Sequence, residues 1–120
     1  MSILIVDDSK AARMILKRAL NQAGYGSHKA EEAGNGAEAL AKIAETQPDL
    51  VLCDWNMPEM SGIELLEKLN ADGLKARLGF VTSEGTEDVR QRAREAGALF
   101  FLSKPVTPEG LQEKLAPLLG

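Results

Sequence analysis

Two stretches of the chain are apolar without a break, Ile3-Leu4-Ile5-Val6 and Leu50-Val51-Leu52-Cys53. Each runs straight into acid, Asp7-Asp8 after the first and Asp54 after the second. A short continuous apolar run bounded by turn signals is the pattern of a strand buried on both faces. Residues 77–81 (Arg77-Leu78-Gly79-Phe80-Val81) and 98–102 repeat it more loosely, leading into Thr82-Ser83-Glu84-Gly85 and Ser103-Lys104-Pro105. Residues 26–33 are polar and end near Gly34. They read as a short edge strand, where polar faces are tolerated. Their His28 is the only histidine and reads as a solvated side chain.

Between these runs apolar residues recur at helical spacing. Asp8 or Ser9 caps a first helix whose core face is Ala12, Ile15, Leu16, Ala19, Leu20 and Ala23, with Gly24 as its stop. Asn35 and Glu38 have the spacing of a capping box, and Ala37, Leu40, Ala41 and Ala44 form the face behind them. Ser61 and Glu64 repeat that spacing, with Met60 and Leu65 placed as a hydrophobic staple and the helix running out near Asp72-Gly73. A helix over about 86–96 has only Val89, Ala93 and Ala96 to bury beside Arg90, Arg92 and Arg94, which predicts low local stability. Thr107-Pro108 opens the last helix, with Leu111, Leu115 and Leu118 on its core face. Strand and helix thus alternate five times with short connections. This predicts a doubly wound α/β domain, a parallel sheet with helices on both faces.

Length and composition narrow the picture. A chain of 120 residues suits a single domain over 1–120. The net charge of −4, with no basic run, argues against direct nucleic-acid binding. The one cysteine, Cys53, excludes an internal disulfide and reads as a buried small hydrophobe in a reducing cytoplasm. No window reaches the roughly 20 apolar residues of a membrane span, so no membrane insertion is expected.

The chemistry gathers at the strand ends. Asp7, Asp8, Asp54, Thr82 and Lys104 each follow or close a strand, and open α/β sheets bind ligands at that edge. Carboxylates brought within about 4 Å of one another repel by roughly 4 kcal/mol at an effective dielectric near 20. They must take up protons or recruit a cation. A hard ion with oxygen ligands fits, and Mg²⁺ is favoured because one or two carboxylates suffice to hold it. Lys104 supplies a positive charge and Thr82 a hydroxyl. Together these suit transfer of a phosphoryl group to a carboxylate.

The segments Ile3-Leu4-Ile5-Val6-Asp7-Asp8-Ser9, Asp54-Trp55-Asn56-Met57-Pro58, Ser61-Gly62, Val81-Thr82-Ser83 and Lys104-Pro105 are found in that order. The chain resembles, end to end, the receiver domain of two-component response regulators. The resemblance implies a flavodoxin-like (βα)5 fold of strand order 2-1-3-4-5. It implies that Asp54 is phosphorylated by a histidine kinase or histidine phosphotransfer protein. Asp8 and Asp54 would bind Mg²⁺ directly, Asp7 through water and Asn56 through its carbonyl. Lys104 would pair with the phosphoryl oxygens, with Thr82 and Ser83 at the phosphoryl-binding and switch position. The bond before Pro105 would be cis, and Phe101 would be the switch aromatic on the fifth strand. The fourth helix, fifth strand and fifth helix would face a downstream effector protein. Asn56 and Glu84, two positions past Asp54 and Thr82, would tune the phosphoryl lifetime as in chemotaxis-type receivers. The protein would be a messenger rather than an enzyme, its only turnover being its own aspartyl phosphorylation and dephosphorylation. A phosphorelay shuttle and an unphosphorylated scaffold of the same fold stand as alternatives. A flavin carrier is disfavoured because Asp7-Asp8 would repel its phosphate. An aspartyl phosphatase is disfavoured because Asn56 stands where its second acid is needed.

Overall fold

The computed structural model describes residues 2–83 and 85–119. The elements are β1 (Ser2–Val6), α1 (Lys10–Leu20), β2 (Lys29–Ala33), α2 (Gly36–Thr46), β3 (Leu50–Cys53), α3 (Gly62–Ala71), β4 (Leu78–Thr82), α4 (Glu87–Glu95), β5 (Phe101–Ser103) and α5 (Pro108–Leu119). The strands are all parallel, in the order β2-β1-β3-β4-β5. This is the flavodoxin-like order. β3 and β4 are buried at every position, as is β1 beyond Ser2, whereas polar β2 takes an edge.

Alternation along the strands sends side chains to two apolar layers. Leu4, Val6, Val51, Cys53, Leu78 and Phe80 meet α2, α3 and α4 on one face. Ile3, Ile5, Leu50, Leu52 and Val81 meet α1 and α5 on the other. Side-chain oxygens cap the helices: Ser9 accepts from the Ala12 N–H, Asn35 from Glu38, Thr86 from Val89 and Thr107 from Gly110. Ser61 and Glu64 form a full capping box. Each such cap is worth about 1 kcal/mol.

Several local expectations are corrected. Of the two cap candidates Ser9 caps α1, and Gly24, at φ 100°, breaks the helical backbone as expected, but within a wide π-helical turn over Asn21–Tyr25 that the spacing did not predict. Ile15 is 59 % exposed, because the stripe that reaches the sheet is Leu16, Ala19, Leu20 and Ala23. In α2 the buried face is Gly36, Ala39 and Ile43 with Leu40 beside it, and Ala37, Ala41 and Ala44 point outward. Bulk decides between these faces, since Ile43 covers more sheet than an alanine can. β4 begins one residue later than expected, and β5 shortens to three residues. Residues 98–100 still bond to β4, through Leu99 N–H to Leu78 O (2.8 Å) and Phe80 N–H to Phe100 O (3.1 Å). Phe100 lies against Gly79, where any side chain would collide with its ring.

Candidate functional site at the carboxyl edge of the sheet

Strand register sets the site. Val6 pairs with Cys53, so the next residues of β1 and β3, Asp7 and Asp54, emerge side by side. Thr82 pairs with Ser103, which puts Lys104 just beyond the hydroxyl-bearing end of β4. Main-chain bonds extend the sheet through these ends: Asp54 N–H to Val6 O (2.9 Å), Asp7 N–H to Ala33 O (3.2 Å) and Lys104 N–H to Thr82 O (2.9 Å).

One carboxylate oxygen from each of Asp7, Asp8 and Asp54 lies within 4.8 Å of the other two. Asp7 and Asp54 are 6 % and 9 % exposed, while Asp8 is open to solvent. Lys104 Nζ sits between the two buried acids, 2.9 Å from Asp7 Oδ2 and 3.4 Å from Asp54 Oδ2. The other Asp7 oxygen accepts the Ser9 N–H at 2.9 Å. Burial pushes the Asp54 carboxyl above its ordinary range and the Asp7 charge adds to this, against the pull of Lys104 and the Asn56 N–H. Burial alone would lower the Lys104 ammonium, but hydrogen bonding to Asp7 and the Asp54 charge outweigh it and hold it above its usual value. Cys53 is fully buried, and burial, with the Asp54 and Asp7 charges, drives its thiol strongly up, leaving it un-ionised.

Thr82 is wholly buried at the end of β4; Ser83 and Asn56 are exposed at the rim. The Lys104–Pro105 peptide bond is cis. Glu84 lies outside the described residues. Phe101 is half-buried and stands in an aromatic group with Trp55 and Phe80, its ring centroid 6.4 Å from each. The Arg90 guanidinium lies 5.3 Å from the Phe101 centroid. Beside the acids a cavity of about 390 Å³ opens between Ile15 of α1 and Val106, floored by Leu52 and Val81.

One neighbour of the site, Arg13, and one contact of another, Trp55, escaped the sequence reading. Arg13 donates to the Asp7 carbonyl at 2.6 Å, and Trp55 packs edge-on against Phe80 at 5.0 Å. Neither contact has a signature in spacing, because Arg13 is one of many charges on a helix and Trp55 is one apolar residue in a turn.

The family model of the response regulator receiver domain matches residues 3–116. This chain belongs to the response-regulator receiver family. As a receiver domain it is 38 % identical over 123 aligned residues to chemotaxis protein CheY1 of Helicobacter pylori, covering 100 % of this chain and 98 % of that protein. It is also 38 % identical to the chemotaxis protein CheY homolog of Campylobacter jejuni, covering 100 % and 93 %. The structure of Vibrio cholerae chemotaxis protein CheY4 superposes with a TM-score of 0.85 at 32 % identity, over 98 % of both chains. The response-regulator assignment, and with it two-component signal transduction, rests on these matches. The donors of the acidic cluster are all hard carboxylate oxygens, a set that fits the Mg²⁺ site of a receiver domain. Among the described residues no helix is long and apolar enough to cross a membrane.

Proposed function

We propose that Asp54 is the phosphoryl acceptor of a chemotaxis-type response regulator that acts in the cytoplasm. The observation that carries this reading is the placement of Lys104 Nζ against both Asp7 and Asp54 within a cluster of carboxylates. A partly buried cation held beside a carboxylate nucleophile is the arrangement that stabilises charge on a transferring phosphoryl group. Asp8 and Asp54, with the Asn56 carbonyl and Asp7 through water, would hold Mg²⁺. Once bound, Mg²⁺ supplies neutralising charge for the phosphoryl oxygens.

The donor is a phosphohistidine of a sensor kinase or histidine phosphotransfer protein. An Asp54 oxygen forms a bond to phosphorus as the phosphorus–nitrogen bond of the donor breaks, and the departing nitrogen takes a proton from solvent. Lys104 swings its ammonium from the Asp54 carboxylate to a phosphoryl oxygen, and the Thr82 hydroxyl donates to another. That movement of Thr82 leaves room for Phe101 to turn inward, altering the face formed by α4, β5 and α5 for an effector protein. Arg90 over the Phe101 ring couples α4 to that turn. Asn56 and Glu84 tune how water reaches the phosphoryl group, and so its lifetime.

Trp55, next in sequence to Asp54 and 9 % exposed, makes the test direct. Its emission should change on addition of Mg²⁺ and again on addition of acetyl phosphate, and intact mass should gain one phosphoryl group. Asp54→Asn should lose the second change and the added mass. Mg²⁺ binding with neither a phosphoryl adduct nor a response to beryllofluoride would leave a metal-binding scaffold of receiver shape instead.

A further inference from the structure

The Asp7 main-chain carbonyl, at the point where β1 gives way to the turn before α1, accepts a hydrogen bond from Arg13 Nη1 at 2.6 Å. The same guanidinium donates through Nε to Glu32 Oε1 on β2 at 2.9 Å. The Arg13 side chain is 16 % exposed. The second Glu32 oxygen is held by Lys17 at 2.9 Å, and hydrogen bonds from Lys17 and then Arg13 keep the Glu32 carboxyl below its usual range. The head of Arg13 is therefore fixed at both ends, the use for which a planar fork of donors is suited and an ammonium is not. The turn it touches also holds the acidic site, because Asp7 Oδ1 accepts the Ser9 N–H and Oδ2 accepts Lys104.

We propose that Arg13 is a positioning residue for the acidic site: by tying the Asp7 carbonyl to Glu32 it fixes the β1–α1 turn so that the Asp7 carboxylate stays opposite Lys104 and Asp54. The proposal rests on the receiver reading for its consequence, which is a site preset for a divalent cation. Groups one bond removed from a metal ligand set its orientation, and their loss costs affinity.

A second effect of Arg13 has the opposite sign, and this makes the role testable. As a positive charge bonded to the turn that carries Asp7 it repels a cation. Removing charge alone would tighten Mg²⁺ binding; removing the brace would weaken it. Calorimetric titration of Mg²⁺ should give a dissociation constant about 10-fold higher for Arg13→Ala than for the unaltered protein. Arg13→Lys keeps the charge but cannot span both acceptors, so it should weaken binding in the same direction. In Mg²⁺-free protein, the Ser9 amide should exchange with solvent faster in both variants, while the Leu65 and Leu111 amides exchange as before. Tighter binding by Arg13→Ala with no change in Arg13→Lys would assign Arg13 a purely electrostatic part and overturn the proposal. So would unaltered Mg²⁺ affinity together with unaltered Ser9 exchange. If the unaltered protein binds no Mg²⁺, the receiver chemistry fails separately, and Ser9 exchange alone then decides whether Arg13 braces the turn.

Discussion

Gly62 opens α3 directly beneath the end of β3 that carries Asp54, and its N–H donates to the Trp55 carbonyl at 2.8 Å. A methyl group there would lie 2.2 Å from the Asp54 carbonyl oxygen and 2.8 Å from the Phe80 ring. Neither neighbour is the free end of a flexible chain. Gly62→Ala should therefore cost about 1–3 kcal/mol in urea unfolding, the usual range for overpacking. On the proposed function it should also slow phosphorylation of Asp54, whose main chain must move. Gly36 provides the contrast. Its added methyl would meet Met60 at Sδ (2.6 Å) and at Cβ (2.9 Å); the thioether can turn aside, and the Cβ needs only a few tenths of an ångström from a turn rather than from a buried strand. Gly36→Ala should cost less than Gly62→Ala, since the helix-propensity gain of about 1 kcal/mol applies to both. A Gly62→Ala protein as stable and as reactive as the parent would show that the α3 entrance has slack.

The helices differ in what anchors them. α3 buries Ile63, Leu65, Leu66 and Leu69 behind a full capping box. α4 buries only Ala93, with Val89 and Ala96 partly covered, and its ion pairs, Arg92–Glu67 and Arg94–Glu87, are exposed and worth about 0–1 kcal/mol each. Amide exchange in α4 should be faster than in α3 by on the order of 100-fold, reporting local opening rather than global unfolding. Equal protection across both helices would remove the case for α4 as the yielding element. This contrast was legible beforehand, because leucines at helical spacing announce a deep face and arginines beside small residues announce a shallow one. The α2 face was not legible. Alanine is apolar enough to mark a stripe and small enough to sit outside it, so Ala37, Ala41 and Ala44 looked like core while Ala39 and Ile43 were the core. The strand ends gave away the site because β1 and β3 finish in acid. Arg13 stayed hidden because a hydrogen bond from a helix to a main-chain carbonyl leaves no periodic trace.

Across the whole molecule, assembling the site works against folding. Asp54 is held above its ordinary carboxyl value of 3.8 first by burial and then by Asp7. Between that value and the raised one the folded chain binds more protons than the unfolded chain, so stability falls as pH rises, and the loss is complete above the raised value. Asp54→Asn should be more stable than the parent in urea unfolding at pH 7 without Mg²⁺, with the gap closing as pH falls toward 3.8. Saturating Mg²⁺ should narrow the gap from the other side, stabilising the parent by about 2.7 kcal/mol at 100 times its dissociation constant. A variant that is less stable than the parent at neutral pH would mean that the Lys104 pairing outweighs the burial of charge. Lys104 has the reverse sign. Its raised ammonium contributes fully below its ordinary 10.5, and that contribution is lost as pH climbs through the raised value.

The contact between Lys104 and Asp7 joins residues 97 positions apart. A chain emerging from the ribosome exposes these acids early and Lys104 late. Until β5 docks against β4, Asp7 and Asp54 have no ammonium between them. An unfinished polypeptide would then be a poor acceptor, and a signal would be written only on molecules whose synthesis had passed the last strand.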